Sequence, residues 1–181
     1  FANKTFYAIW TPVSYTITYA LNGGTSPLPT QASKNIYNTF SLAGTPTKAD
    51  FYFAGWSDGT TTYGALATYT ITATSPTAIT LTAQWIPIYT VSYVLNGSSS
   101  SVTGEGSYTS GTVVTLSGAP TRTGYTFDNW LDSSNVTHAA GSGFTVLQNS
   151  VLQAQWTAVL YPVTYALNGA SGTLPLQSSL A

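Results

Sequence analysis

The chain has 181 residues and a formal charge of −1, with 5% charged residues against roughly 25% in an average globular domain. Four Lys+Arg give neither the basic footprint of a nucleic-acid binder nor the polybasic patch that holds an anionic membrane surface. A hydrophobic fraction of 43%, with 14% aromatic residues, supplies a core, while Thr, Ser, Asn, Gln and Gly must supply the surface. That polar set suits strand faces and turns better than helices.

No apolar run approaches the ~18 residues of a spanning helix, so membrane insertion is not expected. Cys and Met are absent, and Phe1 reads as an internal position of something longer.

Residues 6–10, FYAIW, come first and look like a closing strand ending in Trp10. Residues 15–23, YTITYALNG, follow. Tyr15, Ile17, Tyr19 and Leu21 alternate with polar residues, the period of a half-buried strand, and Asn22-Gly23 supplies a turn that tolerates positive φ. Further strands are expected at Thr39–Leu42, Phe51–Trp56, Thr70–Thr72 and Ile79–Trp85.

The same order then recurs. YTVSYVLNG occupies 89–97, with Tyr89, Val91, Tyr93 and Leu95 on one face; strands at Thr112–Leu116, Tyr125–Trp130, Thr145–Leu147 and Val151–Trp156 match those of the first pass. YPVTYALNG at 161–169 opens a third pass through Tyr161, Val163, Tyr165 and Leu167. Asn22, Asn96 and Asn168 are 74 and 72 residues apart, Trp10, Trp85 and Trp156 are 75 and 71 apart, and Trp56 and Trp130 are 74 apart. Four landmarks in one order make a tandem array with a period of about 70 residues.

The expected division is 1–12 as the end of a preceding repeat, 13–86 as repeat one, 87–157 as repeat two, and 158–181 as the start of a following repeat. No window shows a helical period, and at most one helical turn fits after Trp56 or Trp130, so the fold class is all-β or nearly so. Trp10, Tyr19, Trp56, Trp85, Tyr93, Trp130, Trp156 and Tyr165 recur in register and are expected as repeat anchors. The joints, Ile86–Ile88 and Thr157–Leu160, are short and lack Gly, and Pro87 biases Ile86 towards an extended backbone. Neighbouring repeats are therefore expected to hold a preferred angle.

Catalytic chemistry has little to work with. His138 is the sole His and is expected on an exposed loop, without the nucleophile and carboxylate that a triad needs. No usual zinc set exists, and Asp128 and Asp132, with Asp58 matching Asp132, read as solvated turn residues rather than a calcium loop. No catalytic residue, metal ligand or cofactor is expected. Tyr63, Tyr69, Tyr108 and Tyr125 lie outside the main strand face and are candidates for stacking on a glycan or a host protein.

YTVSYVLNG, followed by GTVVTLSGAPTRTGYTFDNW and closed by VLQAQW, resembles the internalin B B-repeat, also called the Listeria–Bacteroides repeat. The PTRTGYTF stretch with its following Trp is the most specific part; repeat one has KADFYF there, with Asp50 in place of Gly124. The resemblance implies β-grasp-like modules in long secreted or wall-attached bacterial proteins, acting as spacers or weak binding units, with no catalytic residues. The function expected is thus a structural spacer of a cell-surface or extracellular fibre protein, with a glycan- or host-protein-binding module as the alternative. The partners expected are neighbouring repeats, and the segments 6–10 and 161–167 are expected to meet head to tail between molecules, because they are complementary pieces of one module.

Overall fold

The computed structural model describes residues 3–29, 31–169 and 171–173. It is all-β, with no helix among the described residues. The chain divides into two compact units, the boundary falling between Pro87 and Ile88.

In the first unit, β1 (Ser14–Ala20), β2 (Lys34–Asn35), β3 (Thr39–Ser41), β4 (Phe51–Ser57), β5 (Thr62–Tyr63) and β6 (Thr68–Thr70) precede the long β7 (Ala78–Val94). The first part of β7 pairs in parallel with β1, from Thr16↔Ala78 to Ala20↔Thr82, and antiparallel with β4, from Phe51↔Pro87 to Ser57↔Thr82. β2 extends the sheet beyond β1, and β5 extends it beyond β4. A separate two-stranded ribbon joins β3 to β6.

The second unit repeats this plan with β8 (Gly106–Thr109), β9 (Val113–Thr115), β10 (Tyr125–Leu131), β11 (Thr137–His138), β12 (Gly143–Thr145) and β13 (Ser150–Ala158). The latter part of β7 now plays the opening strand, paired in parallel with β13 from Val91↔Ser150 to Val94↔Gln153 and antiparallel with β8. β10 pairs antiparallel with β13 and β11, and β9 with β12. The expected joint Ile86–Ile88 lies inside β7.

The alternation in the opening strands places Tyr15 and Ile17 in the first core and Val91 in the second, while Thr16, Thr18 and Thr90 face out. One feature of β4 departs from simple alternation. Phe53 and Trp56 are three residues apart, which in a regular strand puts them on opposite faces. A register shift between Phe53 and Gly55 inserts an extra residue and returns both rings to the core, their centroids 5.2 Å apart. β10 does the same between Phe127 and Asn129, bringing Phe127 and Trp130 to 5.0 Å. Gly55 is replaced by Asn129 in the second unit, and the Oδ1 atom of Asn129 is buried without a hydrogen-bond partner.

Each core is completed by aliphatic side chains from the closing strand and the ribbon: Leu81, Leu42 and Ile71 in the first, Leu152, Leu116 and Val146 in the second. The ribbon strands expected at Thr70–Thr72 and Thr145–Leu147 begin two residues earlier. Ile71 and Val146, just past those strands, are fully buried, and backbone bonds to Tyr37 and Asn38 and to Gly111 and Thr112 also hold them. The residues after Trp56 and Trp130, where one helical turn was allowed, form the tight β4–β5 and β10–β11 hairpins instead.

The flanking segments differ from expectation. Residues 6–10 form no strand, and residues 161–167 form none beyond an isolated bridge at Tyr161. Phe6, Tyr7, Ile9 and Trp10 are each at least 85% exposed.

Candidate functional site

The recurring anchors form the same network in both units. Trp56 and Trp130 are 0% exposed, and their indole N–H groups donate to the Ala43 and Ser117 carbonyls, each at 2.9 Å. The Tyr19 and Tyr93 hydroxyl oxygens accept the backbone N–H groups of the same two residues, Ala43 and Ser117, also at 2.9 Å. Each Tyr ring stands edge-on to its Trp, at 4.8 and 4.7 Å. One Trp and one Tyr thus bond to both backbone groups of a buried residue outside the named strands, whose carbonyl also accepts a backbone N–H, that of Leu66 in the first unit and of Gly141 in the second.

The closing Trp residues pin the Asn-Gly turns. Trp85 donates to the Leu21 carbonyl and Trp156 to that of Leu95, each at 3.1 Å. From the other side, the Asn22 and Asn96 amides donate to the Ala83 and Ala154 carbonyls at 3.2 and 2.8 Å. Both turn residues have positive φ, 48° and 83° for Asn22-Gly23 and 48° and 95° for Asn96-Gly97, as a type I′ turn requires. Gly124 at 78° and Asp50 at 60° share the left-handed conformation, so Asp keeps the turn that Gly makes.

Tyr93→Phe is expected to leave the Ser117 N–H without its partner and to destabilise the second unit by about 1–3 kcal/mol. A urea midpoint unchanged from the parent would contradict this.

Trp10 and Tyr165, expected as anchors, are 87% and 45% exposed and lie in no strand. The four candidate contact tyrosines also separate. Tyr69 is 5% exposed and belongs to the first core, where Tyr63 packs on it edge-on at 5.1 Å. Tyr108 is half-buried against the second core. These three are not the exposed loop tyrosines that the binding reading needed. Tyr125 is the exposed one of the four, at 38%.

Two carboxylates organise the hairpins. Asp58 accepts from the Thr60 and Thr61 N–H groups at 2.9 Å, from the Thr60 hydroxyl at 2.8 Å, and from the Tyr63 and Tyr69 hydroxyls at 3.4 and 3.2 Å. Burial by itself would raise its pKa, but these donors outweigh it and lower the carboxyl from 3.8 to about 2. Tyr69 moves the other way, to about 12, through burial and the adjacent Asp58 charge. Because the folded Asp58 pKa is depressed, its stabilisation is complete above about 3.8 and is lost as pH falls through about 2. Acid titration of the first unit should show a loss of stability in that window which is absent in Asp58→Asn; identical titrations would contradict this.

Asp132 holds the equivalent turn in the second unit, accepting from the Ser134 and Val136 N–H groups at 2.8 and 2.9 Å. Burial pulls its carboxyl upward, and the contact with His138 and those N–H groups bring it below the ordinary value. His138 is thus not an exposed loop residue. It sits in β11, its side chain 18% exposed, with Nε2 2.9 Å from Asp132 and its ring edge-on to Phe144. It occupies the place of Tyr63 in the first unit, and the role is the same: to close the hairpin onto a carboxylate. Among the described residues, no group of three or more His, Cys, Asp or Glu is placed to hold a metal ion.

One recurring element is announced by no strand or turn pattern, the cation after PT. Lys48 lies 4.2 Å from the Phe51 ring centroid and 5.8 Å from that of Trp85, and donates to the Asn22 carbonyl at 3.2 Å. Arg122 lies 3.6 Å from the Tyr125 centroid and 6.0 Å from that of Trp156. The signal was present: PTK and PTR occupy matching places in a chain with four cationic residues.

The Listeria-Bacteroides repeat domain model matches residues 15–84 and 89–155. The chain belongs to the Listeria–Bacteroides repeat family. Two Evansella cellulosilytica proteins are similar to it. One, whose name calls it a membrane protein, is 31% identical over 169 residues, 92% of this chain and 24% of the relative. The other, whose name calls it a Gly-rich membrane protein, is 28% identical over 179 residues, 98% of this chain and 20% of the relative. This chain therefore spans a quarter or less of those relatives. Domains 3–4 of the Streptococcal High Identity Repeats in Tandem, from a cell surface protein, match at 12% identity with a TM-score of 0.20, over 81% of this chain and 99% of theirs. No helix among the described residues is long and apolar enough to cross a membrane.

Proposed function

We propose that these Listeria–Bacteroides repeats are a non-catalytic spacer at a bacterial cell surface, built to transmit force along the chain. The observation that carries this is the placement of the terminal strands of each module. The opening and closing strands are parallel neighbours, β1 with β7 and β7 with β13. A pull on the two ends of a module drives such strands past each other along their axes. The pairs from Thr16↔Ala78 to Ala20↔Thr82 are then loaded together in shear rather than opened one at a time. Bonds worth about 1 kcal/mol each become strong mechanically when they must break at once.

The family assignment supports the same reading, since each module contacts mainly its neighbours in a tandem array. A parallel central pair flanked by antiparallel strands also supports a β-grasp-like sheet, with the β3–β6 and β9–β12 ribbons standing where such a fold would carry a helix. The exposed apolar segments 6–10 and 161–167 carry the closing and opening motifs, and we infer that they complete one module when two copies meet. Light scattering should then show chains that lengthen with concentration, whereas a strict monomer would contradict it.

Reach tests the spacer itself. A small binding domain displayed on a cell beyond one, two or four copies of residues 13–157 should stand further from the surface with each addition. A height independent of copy number would overturn the reading.

A further inference from the structure

We infer that the second module binds a carboxylate-bearing sugar in the cleft above its Asn-Gly turn, with Arg122 as the carboxylate ligand. The cleft, of about 570 Å³, is open to solvent and lined by Gly97, Ser99, Pro120, Thr121, Arg122, Thr123 and Tyr125.

Arg122 is the single Arg of the chain. Its guanidinium carbon lies over the Tyr125 ring, 3.6 Å from the centroid, and 6.0 Å from that of Trp156, so the aromatic contacts confine it. Among the described residues, no side-chain hydrogen bond engages it, and the one ion pair is that of His138 with Asp132. A chain with five carboxylates has left its best bidentate donor uncommitted. An Arg confined by aromatic contacts, with no hydrogen bond to its N–H fork, is placed for a planar oxyanion and loses little freedom on binding it.

The rest of the lining suits a sugar better than a peptide. Ser99 and Thr123 present exposed hydroxyls, and Thr121 is already fixed by a 3.1 Å contact with Ser100. These groups exchange hydrogen bonds with ring hydroxyls, and no apolar hollow is present among them to receive an aliphatic side chain. Tyr125, still 38% exposed, gives the cleft a partly apolar edge.

The same place in the first module is also cationic. Lys48 stacks on Phe51 at 4.2 Å beside a hydroxyl-rich cleft of about 500 Å³ lined by Thr25, Ser26, Pro27, Thr45 and Thr47. Lys lacks the planar fork and spends one donor on the Asn22 carbonyl, so this copy is the weaker of the two. Weak sites that recur once per module suit a polymer of acidic sugars, for which linked binding events raise the overall affinity without any new contact.

The test is an NMR titration of the full chain with trigalacturonate, and in parallel with neutral trigalactose and with inorganic sulfate. Trigalacturonate should shift the amides of Gly97, Ser99 and Thr121–Thr123 and the Trp156 indole N–H, and the neutral trisaccharide should not. Arg122→Gln should weaken binding by about tenfold or more, with Arg122→Lys in between. Equal shifts from the neutral sugar, sulfate binding as tight as trigalacturonate, or no shift at ~10 mM trigalacturonate would each overturn the assignment. The comparison of the three ligands on the unaltered chain holds even if a variant fails to fold.

Discussion

A Trp130→Ala substitution is expected to abolish the cooperative unfolding of the second unit. Trp130 is fully buried, touches the Tyr93 and Phe127 rings at 4.7 and 5.0 Å, and holds the Ser117 carbonyl. Truncating a buried Trp removes about 3–5 kcal/mol, and the Ser117 carbonyl is left with the Gly141 N–H as its donor. A module of some 70 residues holds roughly 4–10 kcal/mol in all, so little or nothing remains. Trp130→Phe keeps much of the ring contact and loses the hydrogen bond, and should retain a transition at lower denaturant. A Trp130→Ala variant that unfolds like the parent would show that the anchor is not where the stability lies.

The second large effect is expected at Leu81→Ala in the first unit. Leu81 is 0% exposed and stands opposite Tyr19 in the parallel pair of terminal strands. The cavity should destabilise the unit by about 2–5 kcal/mol, the spread depending on how far Ile17, Ile71 and Trp56 relax into it. Its midpoint in urea should fall with an unchanged slope. The same substitution at an outward position of that strand, Thr80→Ala, should be near neutral.

These two sites also mark what could be read in the sequence. The Tyr/Val/Leu alternation of YTVSYVLNG declares its inner face, and the in-register recurrence of Trp56 with Trp130 declares an anchor, because both signals are local or periodic. The tyrosines were harder. Tyr69 looks like a loop residue until Phe40 across the ribbon, 5.6 Å away, and the Asp58 carboxylate enclose it. Strands of two or three residues, such as β5, β6, β11 and β12, carry no period to detect. His138 was misplaced for the same reason, since its burial depends on Asp132 and Phe144 meeting it through a hairpin that no alternation announced. Trp10 and Tyr165 bear the right motif, but a motif buries its ring only where the rest of its sheet surrounds it.

Single-molecule stretching in two directions tests the force-transmitting role most directly. The chain has no Cys, so handles can be placed at will. Pulling from residues 13 and 157 should give one abrupt event per module, each releasing on the order of 3.4 Å per residue. Pulling through handles at Tyr125 and Ala158, which face each other across the antiparallel β10–β13 ladder, should open that ladder pair by pair at much lower force. Terminal pulling that yields at the same low force as this unzipping geometry would contradict the role assigned to the parallel strands.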